Sequence, residues 1–219
     1  MLQVVQFLQE LSENNNREWF QNNKKRYDES REKVLFLTEV LINEIRKFDS
    51  DIPLLEPKDC MFRIFRDVRF SNDKRPYKTN FGSFIAKGGR KSMHAGYYFH
   101  IEPDGSFIGG GIYMPAAEPL KAIREYIAEN GEEFSGLINS AKFKKVYPEM
   151  MDDKLKTAPK GYSPDHEFID LLRYKSFAFS SQISSSEILA DTYIEQLVHS
   201  FKILQPVNRF LNEALENNL

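Results

Sequence analysis

Between two aromatic-rich runs, Tyr97–Glu102 and Phe107–Tyr113, the chain reads Pro103-Asp104-Gly105. An Asp-Gly pair in that setting signals a β-hairpin, because its tight turn needs backbone conformations that glycine and aspartate adopt at least cost. The returning run holds Gly109-Gly110-Gly111. Glycine weakens a strand interior, so three in succession predict close approach of something to the backbone: a helix, the rings of Tyr97 and Tyr98, or a ligand. A hairpin here commits the middle of the chain to an antiparallel sheet, and the flanking segments must then cover it.

Those flanks carry helical periodicity. Val4, Phe7, Leu8 and Leu11 recur at three and four and predict a short amphipathic helix, stopped by Asn14-Asn15-Asn16. Asn16 is a natural cap for a second helix, with Glu18 in its first turn and Trp19 and Phe20 opening its apolar face. From Tyr27 the pattern runs through Val34, Leu37, Leu41 and Ile45, as one helix or as two with a break near Asp28. Asp49–Pro57, with two prolines and three acids, predicts an extended connector.

After the hairpin, Pro119 opens a helix through Leu120, Ile123 and Ile127 that is expected to end at Asn130-Gly131. Phe134–Tyr147 reads as one or two short helices. Ser163-Pro164-Asp165 resembles a cap followed by proline at the first helical position, and Tyr174–Ser180 reads as one more strand. A closing helix from about Thr192 to Asn217 carries Pro206, where a kink is expected. Helices, then clustered strands within about 61–114, then helices give an α+β class. The expected architecture is a single domain, 1–219, with a central, mainly antiparallel sheet.

The densest charge pattern lies just before the hairpin. Arg63–Lys78 reads Arg-Ile-Phe-Arg-Asp-Val-Arg-Phe-Ser-Asn-Asp-Lys-Arg-Pro-Tyr-Lys. Phe62, Ile64, Val68 and Phe70 fall on one parity, and Arg63, Asp67 and Arg69 on the other, which predicts a strand with one buried face. Arg66 falls on the apolar parity. A bulge re-aims it, or it is buried and paired with Asp67 or a carboxylate from elsewhere, since a lone buried guanidinium is too costly. Ser71–Pro76 is a turn by composition, Tyr77–Lys87 a further extended piece, and Gly88–Ser92 a flexible basic loop.

Composition narrows the partners. A chain of 219 residues, 41% hydrophobic and 28% charged, is an ordinary globular protein, large enough to bury about 70% of its unfolded surface. The net charge of −2 argues against a globally basic nucleic-acid binder. That average hides an asymmetry: Pro57–Lys91 holds ten Lys and Arg against three Asp, whereas the rest holds 20 basic against 29 acidic residues. A local positive field on an acidic body favours a discrete anion over a long polyanion. The lone Cys60 permits no internal disulfide and reads as a small core residue. Met1–Leu11 lacks the basic start and cleavage site of a signal peptide, and no run approaches the length of a membrane span. A cytoplasmic location without a membrane partner is expected.

The run Arg63-x-x-Arg66-Asp67-x-Arg69-Phe70, followed by Asp73-Lys74 and Tyr77, resembles the signature of the bacterial family catalogued as domain of unknown function 2461. Further matching pieces are Asn15–Phe20, Pro76–Thr79, Tyr98–Gly111 and Pro159–Tyr162, so the likeness covers nearly the whole chain. It implies a single-domain cytoplasmic protein whose activity has no agreed description, and it supports these residues as the site while leaving the reaction open.

Read chemically, Arg63, Arg66, Arg69, Lys74 and Lys78 form a candidate anion site, in which guanidinium groups offer paired donors to phosphate or carboxylate and lysines add point charges. Asp67 would orient an arginine, and Lys160 would close over the ligand. The structural alternative is an ion-pair network pinning the sheet to acidic helices. Tyr77, between Pro76 and Lys78, is a candidate acid-base group, as is Asp67, against the simpler reading of Tyr77 as a core ring. His100 and Glu102 would share a strand face, with His166 and Asp165 arriving from the helical part. No metal-ligand spacing accompanies them, so a hydrogen-bonded sheet histidine is expected and no metal or cofactor. Gly-x-Ser-x-Gly and nucleotide-binding glycine motifs are absent from the required contexts. Two functional classes follow: a ligand-binding domain, with or without enzymatic activity, that holds a small phosphorylated or carboxylated molecule, or a nucleic-acid or protein-partner module using the same basic segment.

Overall fold

A computed structural model of the chain describes residues 1–218. The order of elements is α1 (Leu2–Glu13), α2 (Arg17–Asn22), α3 (Lys24–Ile45), α4 (Pro57–Cys60), β1 (Phe81–Ile85), β2 (Gly96–Ile101), β3 (Phe107–Ile112), α5 (Ala117–Asn139), α6 (Ala141–Val146), α7 (Ile169–Leu172), β4 (Phe177–Gln182), α8 (Ser185–Leu189) and α9 (Tyr193–Asn218). The four strands make one antiparallel sheet in the order β1-β2-β3-β4. The fold is α+β.

The chain divides into two compact units. The first comprises Met1–Arg90, Tyr98–Ile108 and Gln182–Val198. Its core grows from the apolar face of α1, where Val4, Phe7, Leu8 and Leu11 are buried, and from Tyr27, Val34, Leu37, Leu41 and Ile45 of α3. Rings fill the space between helices and strand: Phe7 lies 6.5 Å from Phe81, Tyr27 lies 6.1 Å from Phe81, and Phe20 lies 5.0 Å from Tyr27. Arg26 grips Glu10 with two 2.7 Å hydrogen bonds and so ties α3 to α1. Asn16 caps α2 by accepting from the Trp19 N–H at 2.9 Å, as its sequence predicts. From Tyr27 to Ile45 the pattern forms one helix, with no break near Asp28.

The second unit comprises Lys91–Tyr97, Gly109–Ser181 and His199–Leu219. Here α9 packs Phe201 against Tyr97 at 5.3 Å, and Phe210 against Phe134 of α5 at 5.0 Å. Two buried asparagines of α9 satisfy the backbone where β2 begins. Asn208 donates to the Gly96 carbonyl at 3.0 Å, and Asn212 accepts from the Ala95 N–H at 2.7 Å. The glycine run has the close neighbours the sequence demands: a Cβ on Gly110 would stand 2.1 Å from the Gly96 carbonyl and 2.5 Å from Leu204 of α9.

Three expectations are corrected. Helix α5 does not stop at Asn130-Gly131 but kinks there, Asn130 adopting φ −122° and ψ 28°, and runs on to Asn139. Its continuation is held by packing, since Gly131 lies directly against the Phe168 ring. Ser163-Pro164-Asp165 opens no helix; Ser163 instead closes local turns through its hydroxyl and its carbonyl, which accept from the N–H groups of Asp165 and His166. The third correction concerns the basic segment.

Candidate functional site

The stretch from Phe62 to Phe70 is not a regular strand. It pairs through isolated bridges, Met61 with Ser83 and Phe65 with Tyr77. Arg66 N–H donates to the Pro76 carbonyl at 2.9 Å and Lys78 N–H to the Ile64 carbonyl at 2.8 Å, closing a loop whose tip runs from Asp67 to Arg75. The ladder stops there for two reasons. Pro76 has no N–H to give. Asp67 and Asp73 each accept from the backbone N–H two residues on, at 3.3 and 3.0 Å, folding the tip into side-chain-closed turns. The period-two burial holds from Phe62 to Arg69 and fails at Phe70, which is 96% exposed.

Charge within the loop is met unevenly. Asp67 takes Arg69 in two hydrogen bonds, Nε at 3.0 Å and Nη2 at 2.6 Å. Asp73 takes both Arg75, Nη2 at 2.8 Å, and Arg66, Nη1 at 2.5 Å. Arg66 therefore pairs with Asp73 rather than Asp67. Hydrogen bonds from these guanidinium groups hold both carboxyls below the usual carboxylate range, Asp73 the more strongly. Lys74 donates to the Val68 carbonyl at 3.1 Å. Arg63 and Lys78 have neither an ion pair nor a side-chain hydrogen bond among the described residues. Lys78 is half-buried with its ammonium 5.6 Å from the centre of the Phe62 ring. Burial first, and then the charge of Arg63, push its pKa down.

Tyr77 is a core ring. It is 4% exposed and stacks on Phe20 with centroids 3.9 Å apart and planes 11° from parallel. Its backbone is clamped from both sides by Asn15, whose Nδ2 donates to the Tyr77 carbonyl at 3.0 Å and whose Oδ1 accepts the Tyr77 N–H at 3.1 Å. The Asn15–Phe20 motif and the basic segment thus meet through this one residue, a contact across 62 positions that no local pattern announces.

Beside Lys78 lies a row of polar side chains on β2. Strand alternation buries Tyr97, Phe99 and Ile101 on one face and places Tyr98, His100 and Glu102 on the other. The Tyr98 hydroxyl is 2.9 Å from His100 Nδ1, and His100 Nε2 is 3.2 Å from Glu102 Oε2. Thr79 donates to Glu102 Oε1 at 2.5 Å, and Asn80 Nδ2 stands 3.0 Å from both ring nitrogens of His100. The imidazole stacks on Phe107 of β3, centroids 4.6 Å apart, and Tyr98 meets Phe62 edge-on at 6.1 Å. Gly82 makes room for the row: a Cβ there would stand 2.4 Å from the Tyr98 hydroxyl oxygen. Burial pushes the Tyr98 phenol up to about 12. The His100 pKa is lowered, chiefly by burial and further by Lys78, with Glu102 opposing. The expected hydrogen-bonded sheet histidine is therefore present, joined by Thr79 and Asn80 across 20 or more positions, contacts that no local pattern announces.

Lys160 belongs to the second unit, exposed in a turn closed by the Tyr162 N–H on the Pro159 carbonyl at 3.2 Å. His166 lies in that unit too, its Nδ1 accepting from the Phe168 N–H at 3.1 Å. Cys60 is buried, its thiol pushed up to about 11 mainly by burial. Among the described residues no three His, Cys, Asp or Glu gather to hold a metal, and no helix is long and apolar enough to cross a membrane. A groove of about 810 Å³ runs between α3 and the chain around α8, lined by Glu29, Lys33, Phe36, Leu189 and Tyr193 among others, and none of the basic segment lines it.

A family model described as a conserved hypothetical protein, DUF2461, matches residues 3–210 of the chain. The chain belongs to this family. No curated protein and no solved structure matches it. Within this DUF2461 member the match spans the Asn15 clamp, the basic loop and the β2 row together, and assigns a chemical role to none of them.

Proposed function

We propose that this DUF2461 protein binds a small molecule bearing a phosphate or carboxylate, held by Arg63 and Lys78 beside the Tyr98–His100–Glu102 row. The observation that carries this reading is selective neutralisation. Arg66, Arg69 and Arg75 each make an ion pair with an aspartate, whereas Arg63 and Lys78 make none, Arg63 acting on Asp67 through its charge alone. A half-buried ammonium next to a guanidinium loses hydration and meets like-charge repulsion, and an anion offsets both. Arg66, Arg69, Asp67 and Lys74 then build the loop that carries the binding pair. Addition of phosphate, sulfate and citrate should raise the melting temperature, an anion at about 100 times its dissociation constant adding roughly 2.7 kcal/mol. Arg63→Ala and Lys78→Ala should each blunt the response, and Arg69→Ala should retain it. An Arg63→Ala/Lys78→Ala double variant that responds like the parent would contradict the proposal.

A second reading draws on the exposed Phe70, with Arg69 5.8 Å from its ring centre. An aromatic platform flanked by cations suits a single-stranded nucleic acid. Retention on oligonucleotide columns that falls steeply with salt supports it, and no retention at low salt removes it.

A further inference from the structure

We propose that His100 takes up a proton when the anion binds, reversing the Tyr98–His100 hydrogen bond so that the Tyr98 hydroxyl turns its own proton to the ligand. This rests on the anion site proposed above.

The free state follows from donor and acceptor chemistry. Glu102 as a carboxylate only accepts, so His100 Nε2, 3.2 Å from Oε2, carries the ring proton. Nδ1 is then bare and accepts the Tyr98 O–H at 2.9 Å. Thr79 on Oε1 fixes the carboxylate's orientation.

The charged and titratable groups bearing on the ring are Tyr98 and Glu102 on its own strand and Lys78 just ahead of β1, while β3 contributes only the apolar Phe107. Arg63 acts on Lys78, and the charge of Glu102 is felt at Arg75. Burial first, and Lys78 after it, lower the pKa of the imidazole, and Glu102 raises it. An anion on Lys78 offsets that opposing charge at the ring, so the pKa of the imidazole rises. A proton from solvent then bonds to Nδ1. The imidazolium donates from Nε2 to Glu102 and from Nδ1 to the Tyr98 oxygen, and the phenolic hydrogen, displaced from Nδ1, is free to point at the anion. No other bond is made or broken. The ligand gains a directed hydroxyl donor and a cation behind it, the arrangement from which a general acid acts.

The sign of the pH dependence follows. The ring's pKa is higher in the complex than in the free protein, so affinity is greatest below the free value and falls as pH rises through the bound value, about tenfold for each unit between them.

Sulfate is the probe, because it does not titrate near neutrality. Calorimetry at pH 7 in two buffers of different ionisation heat measures proton uptake on sulfate binding. The parent should take up a measurable fraction of a proton, and His100→Gln should bind sulfate without uptake. As an independent readout needing no substitution, ¹⁵N-histidine NMR of the parent should show His100 with its proton on Nε2 when free and an upward-shifted titration with sulfate. Tyr98→Phe should weaken sulfate binding at pH 6 and flatten its pH dependence. Sulfate bound with no proton uptake, or with the same uptake in His100→Gln, overturns this proposal and leaves the anion site standing; no sulfate binding by the parent overturns both.

Discussion

Tyr77 joins the Asn15–Phe20 motif to the basic segment through stacking and through its backbone. The Phe20 ring, 1% exposed, covers its face at 3.9 Å. Phe20→Ala should cost about 3–5 kcal/mol in urea unfolding, as for other buried aromatic truncations. Asn15→Ala removes both hydrogen bonds to the Tyr77 backbone and should cost about 1–3 kcal/mol; a change within error would mean water replaces the clamp. Gly82→Ala would set a Cβ 2.4 Å from the Tyr98 hydroxyl oxygen and force the ring to shift, at about 1–3 kcal/mol of overpacking, and should shift the His100 resonances. At this scale the sequence was legible where neighbours along the chain decide the outcome. The Asn16 cap, the buried Cys60 and the shared face of His100 and Glu102 were all readable. Asn15 was not, because its partner lies 62 residues away, nor was the choice of Asp73 over Asp67 for Arg66, which depends on how the loop folds back.

The loop between Ile64 and Lys78 is held at its tip by carboxylates rather than by a ladder. Asp73→Ala releases Arg66 and Arg75 together, and amide exchange across residues 66–78 should accelerate while exchange in β2 stays unchanged. The pH dependence has the same origin. Asp67 and Asp73 have lowered folded-state values, so their contribution is present above the ordinary carboxylate range and is lost as pH falls through the lowered values. Exchange in this loop, corrected for the intrinsic rate, should hold steady from pH 7 down to that range and rise only below it. Elements with a strong local signal, the 104–105 hairpin, the strand at 177–182 and the closing helix, matched the reading closely. The strand expected at 62–70 failed because alternation describes side chains alone, whereas Pro76 and two turn-forming aspartates decide where the backbone bonds go. The kink at Asn130 was mistaken for an end because an Asn-Gly pair marks a local preference that packing against Phe168 overrides.

Across the whole molecule, the α+β class and the antiparallel sheet followed from the order of helical and extended segments, and the surplus of positive charge at 57–91 from simple counting. Counting left open how much of that surplus is balanced internally. Two aspartates answer three of the arginines, while Arg63 and Lys78 make no ion pair and the charge of Lys78 is felt at His100 in the Tyr-His-Glu row. The most direct test is a crystal structure grown from sulfate. An anion bonded to both Arg63 and Lys78, within hydrogen-bond reach of the Tyr98 hydroxyl, is the expected result. Ordered Arg63 and Lys78 side chains with only water between them at high sulfate would contradict the anion site on which the functional proposal rests.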